Sequence, residues 1–121
     1  MTWVYNSANG NLSKDGKLIA VGYSGHGPGV NNPSLQDQPN VGPIPQGTWS
    51  IGIFFDDLGG KGPIVARLAP AQGTDTFGRG GFMIHGDTAS RDETASHGCI
   101  ILDHATRQRI ADSDDTELEV V

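Results

Sequence analysis

The sequence predicts a mostly β domain with one short helix near its C-terminus, and three observations carry that prediction. Glycine and proline are abundant, 18 and 7 in 121 residues, while apolar residues make up 36% and aromatics 7%. That balance suits many short strands joined by turns better than a helical bundle. Residues 48–55 alternate apolar and polar side chains, the period-2 signature of a strand. Only the stretch from His104 to Ala111 carries helix start signals. A chain of this length fits a single domain over residues 1–121 with one core.

Taken in order, residues 3–5 and 18–21 read as short strands with a third around Leu12, separated by the turn pairs Asn9-Gly10 and Asp15-Gly16. Such pairs supply the positive φ of tight hairpin turns, so the chain starts as a hairpin or meander. Residues 22–47 are rich in Gly, Pro, Asn and Gln, too polar and broken for a buried element, and read as a stiff loop lying across the domain and lining the site. In the strand at 48–55, Trp49, Ile51, Ile53 and Phe55 share one face. Residues 56–62 form a turn, 63–68 a strand, and 72–81 a glycine-rich connection. Phe82 to His85 is a short apolar strand ending in a histidine. Asp103 N-caps the helix, with Arg107 and Arg109 toward the end where positive charge suits the dipole, and residues 118–121 make a closing strand.

The charge balance excludes one class of function. Eight Lys and Arg stand against 14 Asp and Glu, a net charge of −6, with no basic cluster to displace counterions from a nucleic acid. One cysteine cannot make an internal disulfide. The N-terminus has no basic segment followed by an apolar run, and no stretch approaches the ~18 apolar residues of a membrane span. Export, if the protein works outside the cytoplasm, then rests on something other than a cleaved signal peptide, and no membrane insertion is expected.

The chemistry concentrates in Ile84-His85-Gly86-Asp87 and, after a short spacer, Ser96-His97-Gly98-Cys99-Ile100-Ile101-Leu102. A thiol attacks as thiolate, which at neutral pH needs a base or cation nearby; His85, at the end of an apolar strand, and His97, two residues before Cys99, are both candidates, and spacing does not decide between them. By itself Cys99 would read as a buried apolar residue. Gly98 permits close backbone approach, and the consecutive N–H groups of Gly98 and Cys99 offer an oxyanion hole. Tyr23, Ser24 and Ser96 offer hydrogen bonds to a peptide, and Arg79 matches a substrate carboxylate in a bidentate way. His26 reads as a solvated loop residue. His85, His97, Cys99 and His104 lack the paired spacing of a structural zinc site, so no metal is expected.

Ile-His-Gly followed by Ser96-His97-Gly98-Cys99 resembles the signature of L,D-transpeptidases, cysteine enzymes that act on peptidoglycan. More of the chain is similar to the smaller type VI secretion effector branch of that superfamily. The shared parts are the Trp-x-Tyr start, Gly22-Tyr23-Ser24-Gly25, the run from Val41 to Trp49, the run from Gly81 to Asp87, and the closing Ser-x-Gly-Cys-Ile. The spacer before Ser96 is shorter than in the wall-building enzymes. Ile100 also follows Cys99 where those enzymes often place Arg or Asn, and both departures favour the effector branch.

The resemblance implies a compact mixed sheet or sandwich, Cys99 as nucleophile, His85 as general base, and His97 with Gly98 shaping the site and its oxyanion hole. It implies no metal or organic cofactor. The implied substrate is the peptidoglycan stem peptide, cleaved as an L,D-carboxypeptidase or exchanged as an L,D-transpeptidase, in the periplasm of a target bacterium. An immunity protein and a secretion-apparatus carrier are the implied partners. The alternatives are a transpeptidase of the cell's own wall, a phage lysis enzyme, and a non-catalytic peptidoglycan-binding module.

Overall fold

The computed structural model describes residues 2–57, 62–87 and 96–121. Within the turn expected at 56–62, residues 58–61 lie outside the described residues, as does most of the spacer before Ser96, residues 88–95. The described elements, in chain order, are β1 (Trp3–Tyr5), β2 (Asn11–Lys14), β3 (Lys17–Val21), β4 (Tyr23–Ser24), β5 (Gly47–Ile51), β6 (Phe55–Asp57), β7 (Gly62–Pro70), β8 (Met83–His85), β9 (Ile100–Ile101), α1 (His104–Ser113) and β10 (Glu117–Val120). Short 3₁₀ turns at Gly27–Gly29 and Pro33–Leu35 lie between β4 and β5.

The N-terminal meander forms where local chemistry demands it. Asp15 and Gly16 take φ values of 55° and 76°, closing a two-residue hairpin flanked by the paired Lys14 and Lys17. β2 lies antiparallel between β1 and β3. The C-terminal strand does not close an edge: β10 runs parallel to β1 and antiparallel to β5, so the two ends of the chain meet in the sheet. The strand order is β3-β2-β1-β10-β5-β7-β8-β9-β4, with β6 paired to β7. With parallel pairs at β1/β10 and β8/β9, the sheet is mixed and the fold mostly β with a single described helix.

One core runs through this sheet. Trp3, Tyr5, Trp49, Leu118 and Val120 from the neighbouring strands β1, β5 and β10 join Ile84, Ile100, Leu102 and Ile110 from the part that carries β8, β9 and α1. The Trp49 indole N–H donates to the Pro45 carbonyl at 3.0 Å, and its ring meets Phe82 edge-on at 5.1 Å. A buried indole needs that acceptor, and the pair adds about 0.5–1.5 kcal/mol beyond area burial. The same bond draws the segment of Pro43, Ile44 and Pro45 into the core, where all three are buried.

Three expectations are corrected. The strand expected over 48–55 ends at Ile51, and Ile53 is 91% exposed. Gly52 donates to the Arg67 carbonyl and the chain then leaves the ladder, so the apolar face is not continued; Ile53 instead lines a concavity of about 460 Å3 with Ile51, Phe54, Ile110 and Ala111. The segment 22–47 is not loop throughout, because Tyr23 and Ser24 pair with Ile101 and Ile100 and are buried. Asp103 caps α1 by accepting from the Thr106 N–H, but Arg107 does not complement the helix C-terminus. Its buried guanidinium turns inward to the carbonyls of Leu102, Pro63 and Ile64. Ile64 sits at φ 57°, a costly conformation for a β-branched residue, and Arg107 holds its carbonyl.

Candidate active site

The site is built on β8 and β9, adjacent parallel strands with Ile84 opposite Ile100 and His85 opposite Ile101. Cys99 lies in the turn that leads directly into β9, and His85 is the last residue of β8. Leu102 donates its N–H to the His85 carbonyl at 3.1 Å, continuing the ladder beyond the histidine.

His85 is 4% exposed, and its Nδ1 lies 2.8 Å from the Gly86 carbonyl oxygen. A carbonyl only accepts, so Nδ1 carries the proton, and in the neutral ring Nε2 is the basic nitrogen. Gly86 lies close against Arg107: a Cβ there would stand 2.8 Å from a terminal nitrogen of its guanidinium. Arg107 thus backs the corner that orients His85. Cys99 is half-buried, its thiol directed at the Gly81 carbonyl at 3.8 Å.

Ser96 and Ser24, both with no exposed surface, brace the turn before Cys99. The Ser96 hydroxyl donates to the Cys99 carbonyl at 2.6 Å and accepts from the N–H groups of Gly98 and Gly25, each at 3.0 Å. The Ser24 hydroxyl donates to the Gly98 carbonyl at 3.0 Å and accepts from the Ile44 N–H at 2.9 Å. Tyr23, also buried, donates its hydroxyl to Asp87 at 2.7 Å. These three residues were expected to meet a peptide substrate; in the structure their hydroxyls bond within the protein and fix β4 against the turn before Cys99.

Two further expectations change. The Gly98 N–H is taken by Ser96, so its part in the predicted oxyanion hole is filled within the turn. What Gly98 contributes is conformation and space. It sits at φ 136°, and a Cβ there would lie 2.6 Å from a terminal nitrogen of Arg79 and 2.9 Å from the Phe82 ring. Arg79 does not offer a fork to a carboxylate, because Nη1 donates to Gln36 and Pro43 and Nη2 to Gly42 and His97, all backbone carbonyls. Burial pulls the Arg79 guanidinium below its ordinary range, opposed by the negative charges of Asp37 and the Cys99 thiolate.

His97 is exposed and faces the preceding segment, with its ring stacked on His26 at 4.7 Å and its Nδ1 3.3 Å from the Asn40 carbonyl. His26 is therefore part of the site's surroundings. Sequence reasoning also missed Asp87, the acceptor for Tyr23, and Gly86, the acceptor for His85. The run His85-Gly86-Asp87 held both, but only the fold supplies the partners that give them roles.

His85 at the end of β8 and Cys99 just before the adjacent parallel β9 are the candidate cysteine–histidine pair of a mostly β sheet. The sequence model of the Tlde1 domain family matches residues 19–120, and the chain belongs to that family, one of enzymatic type VI secretion effectors. Among curated proteins none matches the chain.

Proposed function

We propose that this domain cleaves the peptide stems of bacterial peptidoglycan by thiol catalysis, with Cys99 as nucleophile and His85 as general base. The observation that carries this reading is the His85 arrangement. A buried ring has its Nδ1–H fixed on the Gly86 carbonyl, which leaves Nε2 as the basic nitrogen, on the strand next to the one Cys99 leads into. A base so oriented can take the thiol proton without first changing tautomer. His97, stacked on His26, is assigned to shaping the site rather than to proton transfer.

The reaction follows from the two groups. His85 Nε2 accepts the Cys99 proton, and the thiolate attacks the carbonyl carbon that joins the third stem residue to the terminal D-alanine. The carbon–nitrogen bond breaks, the imidazolium returns its proton to the departing amine, and an acyl thioester remains on Cys99. Water attacking the thioester completes L,D-carboxypeptidase cleavage. A D-amino acid attacking it completes an exchange. Family membership supports delivery by a type VI apparatus into the periplasm of a target cell, with an immunity protein as the natural counterpart.

Mass spectrometry of disaccharide-tetrapeptide incubated with the protein, with and without D-methionine, tests this reading. Loss of D-alanine, or its replacement by D-methionine, is expected. A tetrapeptide unchanged in both incubations would refute the assigned substrate.

A further inference from the structure

Arg79 occupies an unusual position for a charged side chain. Its two terminal nitrogens donate to four backbone carbonyls: those of Gln36, Gly42 and Pro43 in the segment before β5, and that of His97 in the nucleophile turn. The guanidinium also lies over the Phe82 ring, 5.0 Å from its centroid. It packs so closely on Gly98 that any side chain there would collide with it. A neutral side chain of the same reach could not donate to four carbonyls, and a lysine has three donors on one point rather than a planar fork.

We propose that Arg79 is a positioning residue for the nucleophile, tying the 36–43 segment to the turn at 97–99 and holding a fixed positive charge against that turn so that Cys99 is favoured as thiolate. The inference rests on the reading of Cys99 as nucleophile. Two physical consequences support it. The partners of Arg79 are carbonyl dipoles, which orient it without neutralising it, and a partly buried cation is screened less than one in water. The coupling is also visible from the other side, since the Cys99 thiolate opposes the effect of burial on Arg79.

The test is the pH profile of Cys99 alkylation by iodoacetamide, which requires no peptidoglycan. Asp37, Asp87, His26, His85 and His97, the other titratable groups around the turn, stay the same in every protein compared. In Arg79→Gln the profile's midpoint is expected to rise by about one pH unit, leaving roughly tenfold less thiolate below it. In Arg79→Lys the charge is kept and the four-carbonyl geometry lost. Its midpoint stays near that of the wild type while D-alanine release falls roughly tenfold or more. An Arg79→Gln midpoint equal to the wild type's in a folded protein overturns the proposal, as does an Arg79→Lys midpoint that rises.

Should Arg79→Gln not fold, the split between midpoint and turnover in Arg79→Lys decides alone. A midpoint raised by Arg79→Gln in a protein that releases no D-alanine upholds the role of Arg79 and refutes the substrate reading instead.

Discussion

Ser96→Ala removes a single oxygen from the turn that presents Cys99, and the structure sets the size of the effect. That oxygen accepts from two N–H groups, Gly25 and Gly98, and donates to the Cys99 carbonyl. Alanine leaves two buried donors without an acceptor, at about 1–3 kcal/mol each. The range is then about 2–6 kcal/mol, and a water entering the vacated space brings the expected loss to about 3 kcal/mol. For a domain of this size that corresponds to a fall in Tm of roughly 12 °C, at roughly 4 °C per kcal/mol. Urea unfolding of wild type and variant, followed by D-alanine release from tetrapeptide, reads both consequences. Release should drop further than stability explains, because the Cys99 carbonyl and the Gly98 N–H are no longer held. A loss below about 1 kcal/mol with unchanged release would refute the assignment of Ser96 as the brace of this turn.

Two other variants probe the core and the turn. The Tyr5 hydroxyl is buried with no hydrogen-bond partner among the described residues, so Tyr5→Phe should be at least as stable as the wild type at neutral pH, and a loss above about 1 kcal/mol in urea unfolding would contradict this. Burial also raises the ionisation of that hydroxyl above its unfolded value. Its neutral form is favoured in the fold, so the related stability is complete below about pH 10 and falls as pH rises toward the folded value. Wild type should therefore lose more stability than Tyr5→Phe between about pH 9 and about pH 11. Gly98→Ala places a Cβ against Arg79 and Phe82 at φ 136°, and should cost more than about 2 kcal/mol with loss of turnover; a variant of wild-type stability and rate would contradict the packing described.

What the sequence made legible was local. Asp15-Gly16 dictates its hairpin through backbone conformation, and Asp103 caps its helix by accepting from a backbone N–H three residues ahead. The insertion of β10 between β1 and β5 was not legible, because parallel pairing of the chain's two ends leaves no periodic trace in either. Ile53 misled because alternation reports a strand's face only while the ladder continues, and here it stops at Gly52. The polar residues were misassigned for a related reason. Tyr23, Ser24, Ser96 and Arg79 look available for ligands in sequence, and Arg107 for the helix C-terminus, yet their partners are Asp87 and backbone groups, most of them delivered by distant segments.

The central claim is that the Cys99 thiol attacks the stem peptide. D-alanine release from purified tetrapeptide, measured for wild type and Cys99→Ala proteins with matching circular dichroism spectra, tests it most directly. The account predicts release by the wild type and none above background by Cys99→Ala; release by Cys99→Ala at the wild-type rate would contradict it.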